Sequence, residues 1–273
     1  MRCVYINLAS ETARRADLEA NFLSCAGPGW SLARLEAVTP ADVHAAGIGG
    51  ILRPTEKACF VSHRNAVATG IGSEEPIAVF EDDIVLGPTT TALIDQALAG
   101  NPDLDWDILY LEVCISRMET MVELFRLRRH LAGQGGVTLI NLQGVEYAGA
   151  TAYIVHPKAQ TKIVEIIAGL GELNVPYDVA LRDLVRQGVL KGFAFFPFLS
   201  GFSDHVLTSQ VQLGQTHGAD RVWIAFRQLM QLDRDLQALR PTVEAIRRDL
   251  CDADAELFGL LLGAMLGPEF QTK

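Results

Sequence analysis

The feature that most restricts how this chain can fold is the run Ile77-Ala78-Val79-Phe80, which stops against three successive carboxylates, Glu81, Asp82 and Asp83. Four apolar residues bounded this way read as a strand covered on both faces, the kind found inside parallel sheets. In open α/β sheets ligands sit just beyond the carboxyl ends of the strands, so three acids there stand where a cation or phosphate ester is handled. Side chains alternate along a strand. If the strand continues through Asp83, Glu81 and Asp83 share one direction and can share one hard metal ion, while Asp82 faces the other way. The alternative is a solvated acidic turn, but the end of a buried strand is a costly place for unpaired charge.

The rest of the chain supplies the elements of an α/β protein. Cys3 to Leu8 reads as a first strand, and Ser10 as the cap of a helix from Glu11 to Leu23 with Arg15 and Glu19 on its polar side. Arg14 and Arg15 fall in the first turns of that helix. Guanidinium groups beside helix amides suit a diphosphate or a uracil ring, and equally an ordinary solvated face. A second strand is expected around Ala33 to Val38. Pro54 and Thr55 open a helix from Glu56 to Thr69, on which Glu56, Cys59, Phe60 and His63 follow one stripe. Ser62 and His63 are polar in an apolar segment, and Glu56 on the same stripe is placed to satisfy His63. The other reading of His63 is a structural histidine beside the core.

Further strands are expected in Trp106 to Ile115, Val137 to Leu142 and Ala150 to Val155, with a helix from His156-Pro157 to Ile167. Phe193 to Phe198 returns to the sheet. Asp178 precedes a helix from Val179 to Gln187 and reads either as a general base or as that helix's N-cap. His205, in Ser203-Asp204-His205, reads as a third metal ligand or a turn residue.

Composition narrows the partners. A formal net charge of -10 argues against a general nucleic-acid binder, since affinity for nucleic acid is dominated by the phosphate backbone. The five cysteines, Cys3, Cys25, Cys59, Cys114 and Cys251, show no paired metal-ligand spacing and suit a reducing compartment. The opening Met1 to Asn7 is too short an apolar run for a signal peptide, and no stretch approaches the ~18 apolar residues of a membrane span, so a cytoplasmic protein is expected. Arg117, Arg126, Arg128, Arg129 and His130 lie along an amphipathic helix from Glu119 to Leu131. They suit an anionic acceptor or membrane head groups, giving peripheral contact at the inner face of a membrane, or simply a solvated face.

The C-terminal part differs in kind. Val222, Leu229, Leu236, Val243 and Leu250 form a seven-residue series, and Leu232, Leu239 and Ile246 form its companion, interrupted at Pro241. This predicts a helical appendage over 209–273, beside an α/β domain over 1–208, that either packs on that domain or pairs two chains as a homodimer.

Ile6-Asn7-Leu8, Arg14-Arg15, Glu56 to His63 and Phe80 to Asp83 stand in an order that resembles glycosyltransferase family 25, the lipooligosaccharide- and collagen-type sugar transferases. Gly149 to Val155 with Lys158-Ala159, and Val175-Pro176-Tyr177-Asp178, agree with it, so the resemblance covers about Arg2 to Asp204. Met118 to Gly136, and everything after Asp204, depart from the family pattern. The resemblance implies a GT-A-like, Rossmann-type mixed sheet flanked by helices. It also implies a nucleotide-sugar donor, a glycan or other hydroxyl acceptor, and an acidic metal-binding motif at Glu81 to Asp83.

The chemistry of the residues agrees with that assignment. A divalent ion held by two carboxylates neutralises a departing diphosphate, and magnesium or manganese suits because both prefer oxygen ligands. Asp83 is the first expected ligand, followed by Glu81 and His205. Asp178 is the expected base of an inverting transfer, and Asp82 is expected to hydrogen-bond the ribose or donor sugar. The expected donor-binding set is Asn7, Arg14, Arg15, Glu56, Ser62, His63 and Asp82, with UDP-galactose or UDP-glucose as donor. Two rivals remain at this stage. A haloacid-dehalogenase-type phosphatase would need an aspartate where Glu81 stands, and a non-catalytic nucleotide-binding scaffold would have no use for Glu81, Asp83 and Asp178.

Overall fold

The computed structural model describes residues 1–132, 136–203 and 226–233, together with single positions 240, 241, 244, 248, 253, 254, 257 and 261. In chain order the elements begin β1 (Arg2–Asn7), α1 (Thr12–Cys25), β2 (Ser31–Glu36), α2 (Pro40–Ala45), α3 (Pro54–Ala68), β3 (Ile77–Glu81) and β4 (Ile84–Leu86). They continue with α4 (Thr90–Gly100), β5 (Ile108–Tyr110), β6 (Cys114–Ile115), α5 (Met118–Ala132) and β7 (Thr138–Asn141). The last are β8 (Tyr147–Ala148), β9 (Ala152–Val155), α6 (Pro157–Ala168), α7 (Tyr177–Arg186), β10 (Gly192–Phe196) and β11 (Ser200–Phe202).

Seven strands form one sheet in the order β2-β1-β3-β9-β5-β10-β7. β1 runs parallel to β2 and β3, and β5 parallel to β10, whereas β9 lies antiparallel between β3 and β5, and β7 antiparallel on β10. The sheet is therefore mixed, and β3 has a parallel neighbour on one side only. The carboxyl ends of β1, β3 and β5 reach the same edge.

β3 is covered on both faces, as its apolar run requires. Ile77 and Val79 join a core with residues of α3, α6 and α7, while Ala78 and Phe80 join a second core with Leu18 and Phe22 of α1 and Ile94 of α4. Burying one such side chain stabilises by about 1.5–3 kcal/mol, so a polar residue anywhere in Ile77 to Phe80 would be strongly disfavoured.

Two helix starts differ from expectation. α1 begins at Thr12, with Glu11 rather than Ser10 at its N-cap and no side-chain cap bond. The connecting turn bonds backbone to backbone, Glu11 N to Leu8 O and Thr12 N to Ser10 O, both at 3.0 Å, which leaves Ser10 outside the first turn. At α3, Glu56 folds back to accept from the Arg53 backbone N–H at 2.8 Å and pairs with the Arg53 guanidinium at 3.0 Å. It serves the helix end and lies seven residues, about 10 Å along the axis, from His63. The expected Glu56–His63 contact is absent for that reason.

At Leu229 and Leu232 the expected helical series is interrupted, and both residues pack on the α/β domain. Residues 226–228 make a helical turn, and Gln231 then forms a parallel bridge with Phe198. The Phe198 N–H donates to Met230 O at 2.9 Å and the Leu232 N–H to Phe198 O at 2.8 Å. Backbone groups committed to a strand-like bridge cannot also serve a continuous helix. Leu229 and Met230 enter the first core and Leu232 packs against the second, so 226–233 is stitched to the sheet-bearing body. The remaining six seam residues, and His205, lie outside the described residues. Two arginines of α5 have structural partners: Arg126 pairs with Glu123 one turn away at 3.0 Å, and Arg128 donates to the distant Gln231 O at 3.0 Å. Among the described residues no helix is long and apolar enough to cross a membrane.

Candidate active site

The strand ends at Glu81, whose N–H donates to Thr151 O at 2.7 Å. The chain then turns through Asp82 and Asp83 into β4, which pairs with β11, and Ser203 N–H donates to Asp83 O at 2.8 Å. The strict alternation expected through Asp83 therefore fails. Glu81 faces one group of side chains, and Asp82 and Asp83 both face another.

In the second group Asp82 is held from two sides. Asn7 Nδ2 donates to its Oδ2 at 2.7 Å and Arg14 Nη1 donates to its Oδ1 at 2.9 Å. Arg14 Nη1 also lies 3.9 Å from Asp83 Oδ2. Asn7 is buried and its remaining groups are spent: Nδ2 also donates to Glu11 O, and Arg34 donates to both its Oδ1 and its main-chain O. Asn7 thus fixes Asp82 rather than reaching a ligand itself. Arg15 turns away to pair with Glu19 at 3.1 Å on the half-exposed outer side of α1.

Asp83 is only 7% exposed, and its Oδ1 has no hydrogen-bond partner. Burial, then the neighbouring Glu81 charge, pushes its carboxyl up to about 7, while Arg14 pulls the other way. Asp82 and Asp83 beside one guanidinium, with a buried Asp83 oxygen left over, offer the oxygen donors a divalent cation prefers, whereas among the described residues the three ligand atoms that converge are those of Cys59, His63 and Glu81.

The first group centres on His63. Its Nε2 lies 3.2 Å from Glu81 Oε1 and its Nδ1 3.2 Å from the Tyr153 hydroxyl, which in turn meets the Tyr177 hydroxyl at 3.1 Å. The Tyr177 ring stacks on the imidazole at 4.7 Å between centroids and 12° between planes. Cys59, one helical turn before His63, brings its Sγ into the same cluster. Burial drives the Cys59 thiol well above its ordinary value, and the charges of Glu81 and Asp178 add to this. Ser62 points elsewhere: it accepts from Val38 N–H and donates to Ala58 O, both at 2.8 Å, locking the exit of β2 onto α3.

Asp178 lies in the first turn of α7 but does not cap it; Pro176 is the N-cap. Its Oδ2 instead accepts from Gly149 N–H at 2.7 Å, in the turn between β8 and β9. Gly149 has φ +89°, a left-handed conformation that favours glycine.

A further acid on this edge escaped the sequence reading. Glu112, two residues past β5, is 2% exposed. Arg227 Nη2 donates to its Oε1 at 2.5 Å, and Thr151 Oγ1 reaches its Oε2 at 3.5 Å. Burial raises the Glu112 carboxyl, opposed by Arg227. An acid inside the apolar run Ile108 to Val113 was the available signal; its partner, 115 residues away, left none. Removing the guanidinium strands a buried charge, which typically destabilises by about 3–5 kcal/mol. Arg227→Met should therefore lower the melting temperature strongly, and adding Glu112→Gln should recover most of the loss. A single variant that melts like wild type would refute the pairing.

The family model for glycosyltransferase family 25, described as an LPS biosynthesis protein, matches residues 2–181, a span from β1 into α7 that holds Glu81, Asp82, Asp83, Glu112 and Asp178. No curated protein matches the chain. Among solved structures, the apo-form glycosyltransferase GlyE of Streptococcus pneumoniae TIGR4 aligns at a TM-score of 0.36 and 8% identity, covering 70% of this chain and 44% of that one. The chain thus spans less than half the length of that protein.

Proposed function

This chain belongs to glycosyltransferase family 25; from that premise we propose that it is a glycosyltransferase that transfers galactose or glucose, with inversion, from a UDP-sugar to a glycan hydroxyl. The observation that carries the reading is Asp83, a buried carboxylate with an unpartnered oxygen beside Glu81 and Asp82. Asp83 and Glu81 would hold Mn2+ or Mg2+, which when bound supplies Lewis-acid neutralisation of the leaving diphosphate. Arg14, already against Asp82 and Asp83, adds a positive charge on the side where the diphosphate lies. Asp82, fixed by Asn7 and Arg14, keeps unused lone pairs on both oxygens for a ribose or sugar hydroxyl.

Asp178 is the base in this proposal. Its Oδ2 is anchored to the backbone of Gly149, which sets the carboxylate's orientation and leaves Oδ1 for the acceptor proton. The family description mentions LPS biosynthesis, and a sugar of that kind is our proposed acceptor.

Screening a panel of UDP-sugars with manganese tests the reading. We expect slow release of UDP from one of them, lost on chelation and regained on adding manganese back, with no hydrolysis of an aryl phosphate. Release that is indifferent to chelation would remove the cation from the scheme, and aryl phosphate turnover would favour phosphatase chemistry.

A further inference from the structure

We propose that Cys59, His63 and Glu81 form a zinc site, separate in its ligand chemistry from the hard-cation set at Asp83. Their ligating atoms, one sulfur, one nitrogen and one oxygen, all lie within 4.8 Å of one another. Zinc holds sulfur at about 2.3 Å and nitrogen or oxygen at about 2.0–2.2 Å, which at tetrahedral angles places ligands about 3.3–3.8 Å apart. The His63–Glu81 separation of 3.2 Å is already close to that range. The cluster has only to contract by about 1 Å at its widest pair.

The local fold supplies this arrangement. Cys59 and His63 are four apart on α3, which sets them on one face of the helix, and Glu81 arrives from the end of β3. His63 is held as zinc-ligating histidines are held. Its second nitrogen meets the Tyr153 hydroxyl, itself bonded to Tyr177, and its ring is fixed in plane by the Tyr177 stack. Metal binding takes the tautomer in which Nδ1–H donates to Tyr153, so that the Nε2 facing Glu81 gives its lone pair to the ion in place of its hydrogen bond to that carboxylate. A sulfur donor selects a softer ion than manganese or magnesium, and three protein ligands leave a fourth position for water. Binding releases one proton, from Cys59 Sγ, as the thiol becomes a thiolate.

The proposal needs neither a donor sugar nor an acceptor and shares only Glu81 with the proposed catalytic cation. Cobalt is a suitable probe because thiolate ligation gives it a near-ultraviolet charge-transfer band. Titrating the reduced, metal-free full chain with Co2+ should raise that band to one equivalent, and zinc should erase it. The band should be lost in Cys59→Ser. In Tyr153→Phe, which removes the hydroxyl that meets both His63 and Tyr177, cobalt affinity should fall about tenfold or more. Absence of the band in wild type would overturn the site. So would an unchanged band in Cys59→Ser, because it would then belong to another cysteine. Wild type alone can deliver the negative result, so a poorly folding variant does not shield the idea. If the band is missing while manganese-dependent UDP release stands, only the zinc site falls. If the band is present but UDP release ignores Asp83, only the catalytic reading falls.

Discussion

Asp83→Asn is expected to cut manganese-supported release of UDP from the donor sugar by about 10³-fold or more while leaving the fold intact. A Lewis-acid cation contributes several kcal/mol to stabilising a departing diphosphate, and each ~1.4 kcal/mol is a factor of ten in rate. The amide preserves the side chain's shape, and the Arg14–Asp82 pair at 2.9 Å does not involve Asp83. Stability should move the opposite way. The Asp83 carboxyl lies at about 7 in the folded chain against 3.8 ordinarily, so the folded state binds that proton more tightly than the unfolded one. Stability of the cation-free protein therefore falls as pH rises from about 4 to about 7, and above 7 the whole penalty of burying this charge is present. At pH 8 without metal, the variant should melt higher than wild type. A variant within tenfold of wild-type turnover would sink the cation scheme.

The second large effect is expected at Asp178. Asp178→Asn should slow transfer to the acceptor by about 10²–10⁴-fold, the usual contribution of a positioned base, with the donor KM little changed. The amide oxygen of asparagine can still accept from Gly149 N–H, so the β8–β9 turn should survive and the loss would report proton transfer. Glu112 is the comparison, another acid on this edge within the family-matched span, and its variant is read beside a melting curve because Arg227 loses its partner there. Retained transfer in Asp178→Asn with loss in Glu112→Gln would move the base to Glu112.

What the sequence made legible was local. Ile77 to Phe80 announced a strand buried on both faces because four apolar residues between turn signals have few other uses, and the acids after it marked the edge of the sheet. What it withheld depended on contacts between distant residues. Alternation predicted opposite directions for Asp82 and Asp83, but the pairing of β4 with β11 bends the chain at Asp82 and brings both acids toward Arg14. The helical stripe joined Glu56 to His63, whereas the end of α3 claimed Glu56 and β3 delivered Glu81 instead. The antiparallel insertion of β9 between β3 and β5 had no signature in residues 152–155, whose apolar run suits either direction.

The Arg227–Glu112 pair carries a consequence for how the protein is made. Glu112 leaves the ribosome 115 residues ahead of its guanidinium, an interval of about 6–23 s at ordinary rates of synthesis. Throughout that interval a nascent chain that already holds β1, β3 and β5 carries an acid that it cannot bury as a charged group. The partner of this buried acid lies outside the family-matched span, so a chain trimmed to residues 2–181 should be less stable than the full one.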